Sequence, residues 1–446
     1  MNIIIAGAGE VGTHLAKMLS IEYHDIVVID PDSEKLVQLS SSADLLVVEG
    51  SATSISALKE ANVKKADLFV AVTSSENANL LSATLAKRLG AKKVIARIDN
   101  NEYLLPNNKE IFLNLGVDSL IYPEKLAAKE VIGLLGHTSS TEFVDFSGGK
   151  LSLAVMRLEE DAPVIDQTLL QTTKDNKNLE FRAVAISREG ETIIPRGSDQ
   201  FKVNDLVYVI TNQSGVKGML EYSGKKNFEV RNLMILGGGR IGIRIASELE
   251  KEVNVKIIDQ DKEESIWLAN YFKNALVIHG DGRDTELLMQ EGLQYMDAFV
   301  AVTGNSETNI LTCLAAKRMG VKKTIAEVEN LDYIKLAESM GIDTVINKKL
   351  ITASRIFRYT MSTEVSAIKC LTGSDAEVLE FIVKPNSPVT KGKIKDINFP
   401  KDAIIGGVVR GDLSYIAKGS TEIKAYDRVV VFALPSAINK IGKLFN

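Results

Sequence analysis

Short apolar runs alternate with amphipathic stretches along the first part of the chain. Residues 2–6, 26–30, 45–49 and 68–73 are nearly uninterrupted apolar segments, while 11–19, 33–40 and 54–61 carry apolar residues at helical spacing. Strands this short and this apolar have no polar face to give to water, so they predict a parallel sheet covered by helices on both sides. The pattern therefore predicts an α/β class fold, a doubly wound Rossmann-like sheet.

The same pattern then returns. M-N-I-I-I-A-G-A-G-E-V-G at 1–12 is echoed by R-N-L-M-I-L-G-G-G-R-I-G at 231–242, an offset of 230 residues (237 − 7). F-V-A-V-T at 69–73 recurs unchanged at 299–303, and L-A-K-R-L-G at 85–90 matches A-A-K-R-M-G at 315–320. A period this long marks a tandem of whole domains rather than a solenoid. A fainter echo follows each copy. A-P-V-I at 162–165 answers S-P-V-T at 387–390, and V-N-D-L-V-Y-V at 203–209 answers A-Y-D-R-V-V-V at 425–431. These β-branched, alternating segments with Gly and Asp turns predict small strand-rich α+β modules. The predicted order is large–small–large–small, with boundaries at 1–138, 139–224, 231–362 and 363–446 and a polar linker at 223–227.

Composition narrows the function. The net charge of −5, from 53 basic and 58 acidic residues, offers no basic stripe for nucleic acid. Two cysteines, Cys313 and Cys370, support neither a disulfide framework nor a four-ligand zinc site and suggest a reducing compartment. No run reaches the ~18 apolar residues needed to span a bilayer, and residues 1–12 lack the basic start of a signal peptide. Any membrane role is expected to pass through a partner.

The glycine loops carry the candidate chemistry. Gly7-Ala8-Gly9-Glu10-Val11-Gly12 and Gly237-Gly238-Gly239-Arg240-Ile241-Gly242 both fit G-x-G-x-x-G, each after an apolar strand and at the start of an amphipathic helix. In that setting the glycines allow a tight turn and a close approach of pyrophosphate to a helix N-terminus. Each copy then ends its second strand in an acid, Asp30 or Asp259, placed to accept from ribose hydroxyls. Ser51, Thr73 and Ser74 in the first copy, and Asp281 and Thr303 in the second, fall at strand ends facing the same crevice. The charges are exchanged between copies: Glu10 and Arg97 in the first, Arg240 and Glu327 in the second. Arg240 would favour ATP or ADP and the first site NAD(H); a plain swap of surface charge accounts for the same residues.

Taken together, the doubled glycine loops with their acids, the A-V-T at each fourth strand, Ala96-Arg97 and the P-R-G and D-R-V segments resemble RCK domains, regulators of potassium conductance. Two such pairs in one chain are similar to the TrkA-type regulatory subunits of Trk potassium-uptake systems. The resemblance implies a non-enzymatic sensor binding NAD(H) and ATP or ADP. It also implies a homotetrameric ring, cytoplasmic and peripheral on the inner face of the membrane, that gates an integral-membrane potassium-translocating subunit. Y-P-E at 122–124 resembles a segment carrying a cation-linked acid, which makes Glu124 a metal candidate where the second copy has N-K-K. Two other functions fit a Rossmann-like chain, an NAD-dependent oxidoreductase and a stand-alone nucleotide sensor. The four histidines, His14, His24, His137 and His279, form no visible catalytic constellation with a substrate domain.

Overall fold

The structure, a computed structural model, describes the 446 residues except 22–23, 175–179, 190, 358, 361–364, 371–375 and 446. The boundary expected at 362–363 and the side chain of Cys370 lie outside the described residues. In space the chain divides into two compact units, Met1–Leu126 with Lys348–Thr363 and Ala127–Asn347 with Glu364–Asn446.

The first unit holds a six-stranded sheet of β1 (Asn2–Ala6), β2 (Asp25–Asp30), β3 (Leu46–Glu49), β4 (Leu68–Ala71), β5 (Lys93–Arg97) and β6 (Ser119–Ile121). The order is β3-β2-β1-β4-β5-β6, and the pairings are parallel. Helices α1 (Glu10–Ile21), α2 (Ser33–Ser42), α3 (Ile55–Glu60), α4 (Glu76–Leu89) and α5 (Pro106–Asn114) connect the strands, and α6 (Pro123–Gly136) leaves the sheet. Caps fix where they begin: Asp32 accepts from the N–H groups of Glu34 and Lys35, and Ser54 and Ser75 do the same for α3 and α4. One face of the sheet buries Ile4, Ala6, Phe69, Ala71, Val94 and Ala96 against Leu58, Ala83 and Ala86. β4 stops at Ala71 instead of reaching 73, because Thr73 turns to hydrogen-bond Asn79.

The second unit begins within α6 and continues into an antiparallel sheet of β7 (Glu142–Phe146), β8 (Leu151–Arg157), β9 (Phe181–Arg188), β10 (Glu191–Ile193) and β11 (Leu206–Thr211), with α7 (Leu169–Lys174) and α8 (Val216–Ser223) on one side. A second parallel sheet follows: β12 (Asn232–Leu236), β13 (Asn254–Asp259), β14 (Leu276–His279), β15 (Ala298–Ala301), β16 (Lys323–Glu327) and β17 (Thr344–Ile346). Its order, β14-β13-β12-β15-β16-β17, repeats the first. Its helices are α9 (Arg240–Leu249), α10 (Lys262–Tyr271), α11 (Thr285–Gln290), α12 (Ser306–Arg318) and α13 (Leu331–Ser339). The last sheet comprises β18 (Val365–Cys370), β19 (Glu377–Ile382), β20 (Ala403–Arg410), β21 (Leu413–Ile416) and β22 (Arg428–Ala433), ending in α15 (Pro435–Phe445).

The two small sheets bury their facing sides together, with Leu153, Val155 and Tyr208 of one against Val378, Val409 and Phe432 of the other. Alternate residues of β8, Ala154 and Met156, point away into a second core beneath α7 and α8. Each small sheet also holds the same ion pair on a buried aspartate: Asp205 accepts from Arg188 and Asp427 from Arg410, in matching bidentate geometry.

Helix α14 (Lys348–Phe357) comes from the end of the second parallel domain yet belongs to the first unit, where it packs on α1. Just beyond it, the Tyr359 hydroxyl lies 2.6 Å from Ser119 Oγ, and the Lys93 ammonium sits 4.5 Å from the Tyr359 ring centroid.

Candidate functional site

In each parallel sheet the first and fourth strands are neighbours, and the chain moves outward from them in opposite directions. Helices after those strands therefore leave on opposite faces, and a crevice opens at the carboxyl ends between them. Both glycine loops stand there.

The first loop is built from β1 into α1. Gly7 donates its N–H to the Ile29 carbonyl at 2.8 Å and has φ +112°; a Cβ there would lie 2.9 Å from Thr73 N. At Gly12 a Cβ would come within 1.9 Å of the Gly7 carbonyl oxygen, so any side chain would drive helix and strand apart. Gly9 faces open space, with nothing within 4 Å of its Cβ position. Val11 is buried behind the loop, whereas Glu10 stays exposed at the first turn of α1.

The acids do more than wait for a ribose. Asp30 Oδ2 accepts the Ala8 N–H at 2.6 Å and Oδ1 accepts the Asp32 N–H at 2.9 Å. Asp259 does the same in the second copy, taking Gly238 N–H at 2.7 Å and Asp261 N–H at 2.8 Å. Each carboxylate thus sets the loop and the next helix start, and each oxygen keeps lone-pair capacity for a hydroxyl donor.

The opposite wall is held by an asparagine that lies outside the glycine-loop motif. Asn79 Oδ1 accepts from Thr73 N–H at 2.8 Å and from its hydroxyl at 2.7 Å, while Asn79 Nδ2 donates to the carbonyls of Thr73 and Arg97. Asn309 makes the same set with Thr303 and the Glu327 carbonyl. Both asparagines are 1% exposed. Their signal was present as an identical polar residue inside the fourth helix of both copies.

The second crevice is a cavity of about 440 Å³ whose wall includes Gly237, Gly239, Asp259, Asp281 and Thr303. Arg283 joins that wall and pairs with Asp281 at 2.7 Å, holding its carboxyl below the usual range. Ile241 is buried in the first turn of α9, Gly242 repeats the tight approach of Gly12, and Arg240 is exposed at the helix start. Glu327 is buried at the end of β16 behind Asn309 and is not part of the wall. In the first copy Ser51 and Ser74 are exposed at strand-end turns. Arg97 reaches Asp99 at 3.3 Å, and its buried Nε has no hydrogen-bond partner among the described residues.

Glu124 is buried in the first turn of α6 with Oε2 likewise lacking a partner there. Among the described residues no group of three or more His, Cys, Asp or Glu is placed to hold a metal ion. No described helix is long and apolar enough to cross a membrane.

Comparison with known proteins agrees with this architecture. Residues 3–123 and 233–348 match the TrkA-N domain, and residues 153–224 and 378–446 match the TrkA-C domain. The Archaeoglobus fulgidus protein named Trk system potassium uptake protein TrkA homolog is 34% identical over 447 residues, covering 100% of both chains. The Vibrio alginolyticus Trk system potassium uptake protein TrkA is 32% identical, covering 97% of this chain and 95% of its own. Among solved structures, the GsuK channel superposes with a TM-score of 0.61 at 17% identity, covering 99% of this chain and 78% of that one. GsuK bound to NAD gives 0.59 at 17%, with the same coverages.

Proposed function

Because the chain belongs to the TrkA family, with both TrkA-N and both TrkA-C domains present, we propose that it is the nucleotide-sensing regulatory subunit of a potassium-uptake system. The observation that carries the reading is the duplicated crevice. Two loops meet two helix N-termini, and each loop is held open by an acid that keeps acceptor capacity on both oxygens. The residues fit a dinucleotide: Gly9 and Gly239 leave room for a pyrophosphate at the positive end of a helix, and Asp30 and Asp259 suit ribose hydroxyls. GsuK structures with NAD and with ADP bound have the same fold, which supports NAD(H) and adenine nucleotides as the ligands.

In this reading NAD(H) favours the first crevice and ATP or ADP the second, where Arg240 supplies a cation for further phosphate. The chain assembles as a homotetrameric ring in the cytoplasm, peripheral to the membrane, and acts on an integral-membrane potassium-translocating subunit. A nucleotide shifts such an assembly only through its different affinity for two states, so sensing requires no catalysis. His14, the histidine closest in sequence to the first loop, has its pKa lowered by burial and by Lys17, which favours its neutral form. The test is calorimetric titration of the full chain with NADH, NAD, ATP and ADP, repeated with Asp30→Ala and Asp259→Ala. Each substitution should abolish binding at its own crevice alone. Retention of full binding by both would overturn the reading.

A further inference from the structure

The duplication makes the two small modules controls for each other, and their cores beneath the closing helix differ. Beneath α7 and α8, on the side of the sheet away from the other small module, the first module has a cavity of about 200 Å³. Strand register equates Met156 with Phe381, because Met156 pairs with Val207 and Phe381 with Val429. The closing helices likewise equate Met219 with Ile441 and Ser223 with Phe445. In the second module Phe381 and Phe445 stack with centroids 4.4 Å apart and planes 12° from parallel, both rings buried. In the first, Met156, Met219 and Ser223 line the cavity instead.

The cavity wall is mainly apolar. The hydroxyls of Ser223 and Thr172 are spent on the Leu220 and Leu169 carbonyls, and the Arg182 guanidinium donates to the Ala417 carbonyl at 2.7 Å. Arg196 is different. It lines the same cavity, is exposed, and its guanidinium pairs with no described residue. A dry apolar cavity of roughly 150 Å³ suffices for a benzene-sized ligand, so this one has room for a ring.

We propose that this cavity is a binding site for a small aromatic carboxylate, its ring standing against Met156 where Phe445 lies in the second module and its carboxylate at Arg196. The site is separate from both nucleotide crevices and does not depend on their assignment. Arg supplies a planar, permanently charged fork for a carboxylate, while the stacked pair of the second module shows the shape this fold accommodates there.

The probes are phenylacetate, indole-3-acetate and neutral indole, added to full-length protein labelled at its methionine methyls. Saturable shifts of the Met156 and Met219 methyls are expected, with a dissociation constant of about 1 mM or tighter for the acids. Arg196→Ala, at an exposed position, should remove the preference of the acids over indole. Ser223→Phe, alone and with Met156→Phe, should weaken all three probes at least about tenfold by restoring the second module's packing. Shifts confined to other methionines, or no saturable shift, would overturn the proposal, as would folded Phe variants that bind unchanged. If the Phe variants fail to fold, the wild-type methyl map and Arg196→Ala decide it.

Discussion

Lys349, in the first turn of α14, extends its ammonium to the Glu10 carboxylate in the first turn of α1. The lysine is 13% exposed at its side chain and the glutamate 69%. Glu10 is the acid that stands where the second copy has Arg240, and its negative charge at the first loop is not left uncompensated. A cation delivered by the end of the second parallel domain offsets it. The exchange of charges read from the sequence is therefore incomplete without a third residue.

Lys349→Met should weaken NADH binding at the first crevice several-fold by leaving Glu10 unneutralised beside the pyrophosphate position. Glu10→Gln in the same chain should restore it. Because Glu10 is largely exposed, the coupling measured by a double-mutant cycle should be about 1 kcal/mol or less. Additive effects of the two substitutions on NADH affinity would show that the pair does not act on the ligand.

Asn79→Ala should cost about 1–3 kcal/mol of stability, since it leaves buried backbone groups of Thr73 and Arg97 without their partner. It should also weaken ligand binding in the first crevice and spare the second; Asn309→Ala should do the reverse. Chemical denaturation together with titration of each crevice checks both halves of this expectation.

Most of the parallel fold was legible because its central strands are buried on both faces, leaving runs such as Ile3–Ile4–Ile5 that no surface element would carry. The glycine loops were legible for a related reason: Gly12 is demanded by a local contact with Gly7, and local constraints leave local patterns. Lys349 was not legible as a partner of Glu10. Nothing near either residue records that α14 packs on α1, because that meeting depends on tertiary structure across more than 300 residues of chain. The cavity beneath α8 was hidden similarly, since Met156 and Ser223 are unremarkable until strand register sets them against Phe381 and Phe445.

Lys323 gives a pH-dependent expectation. It is 2% exposed, donates to the Ser140 carbonyl at 2.6 Å, and burial lowers its pKa from 10.5 to about 8 against the opposing pull of Asp343. Below pH 8 the lysine is charged in folded and unfolded chains alike, and the fold bears the cost of burying that charge. Between about pH 8 and 10.5 the folded chain gives up the proton while the unfolded chain keeps it, so stability gains a rising contribution, at most about 3 kcal/mol. Lys323→Met should lack that contribution. Denaturation midpoints of the two proteins from pH 7 to 10 should diverge accordingly, and parallel curves would contradict the assignment.

Cys313 is fully buried, and burial pushes its thiol well above the ordinary range. A thiol held protonated is a poor nucleophile. Alkylation of Cys313 in the native protein at pH 8 should therefore proceed only at the rate of opening, and Asn309→Ala, which loosens α12, should accelerate it. Rapid labelling of the native chain, located by peptide mapping, would contradict the packing of α12 on β16.

The central claim is tested most directly by potassium flux through the membrane subunit in vesicles, reconstituted with the full chain and with NADH, ATP or ADP added in turn. The account predicts that flux depends on the regulatory chain and changes with nucleotide. It also predicts that Asp30→Ala and Asp259→Ala each remove the response to the ligand of their own crevice. Flux that is the same with and without nucleotide, in the presence of a chain shown to bind it, would contradict the account.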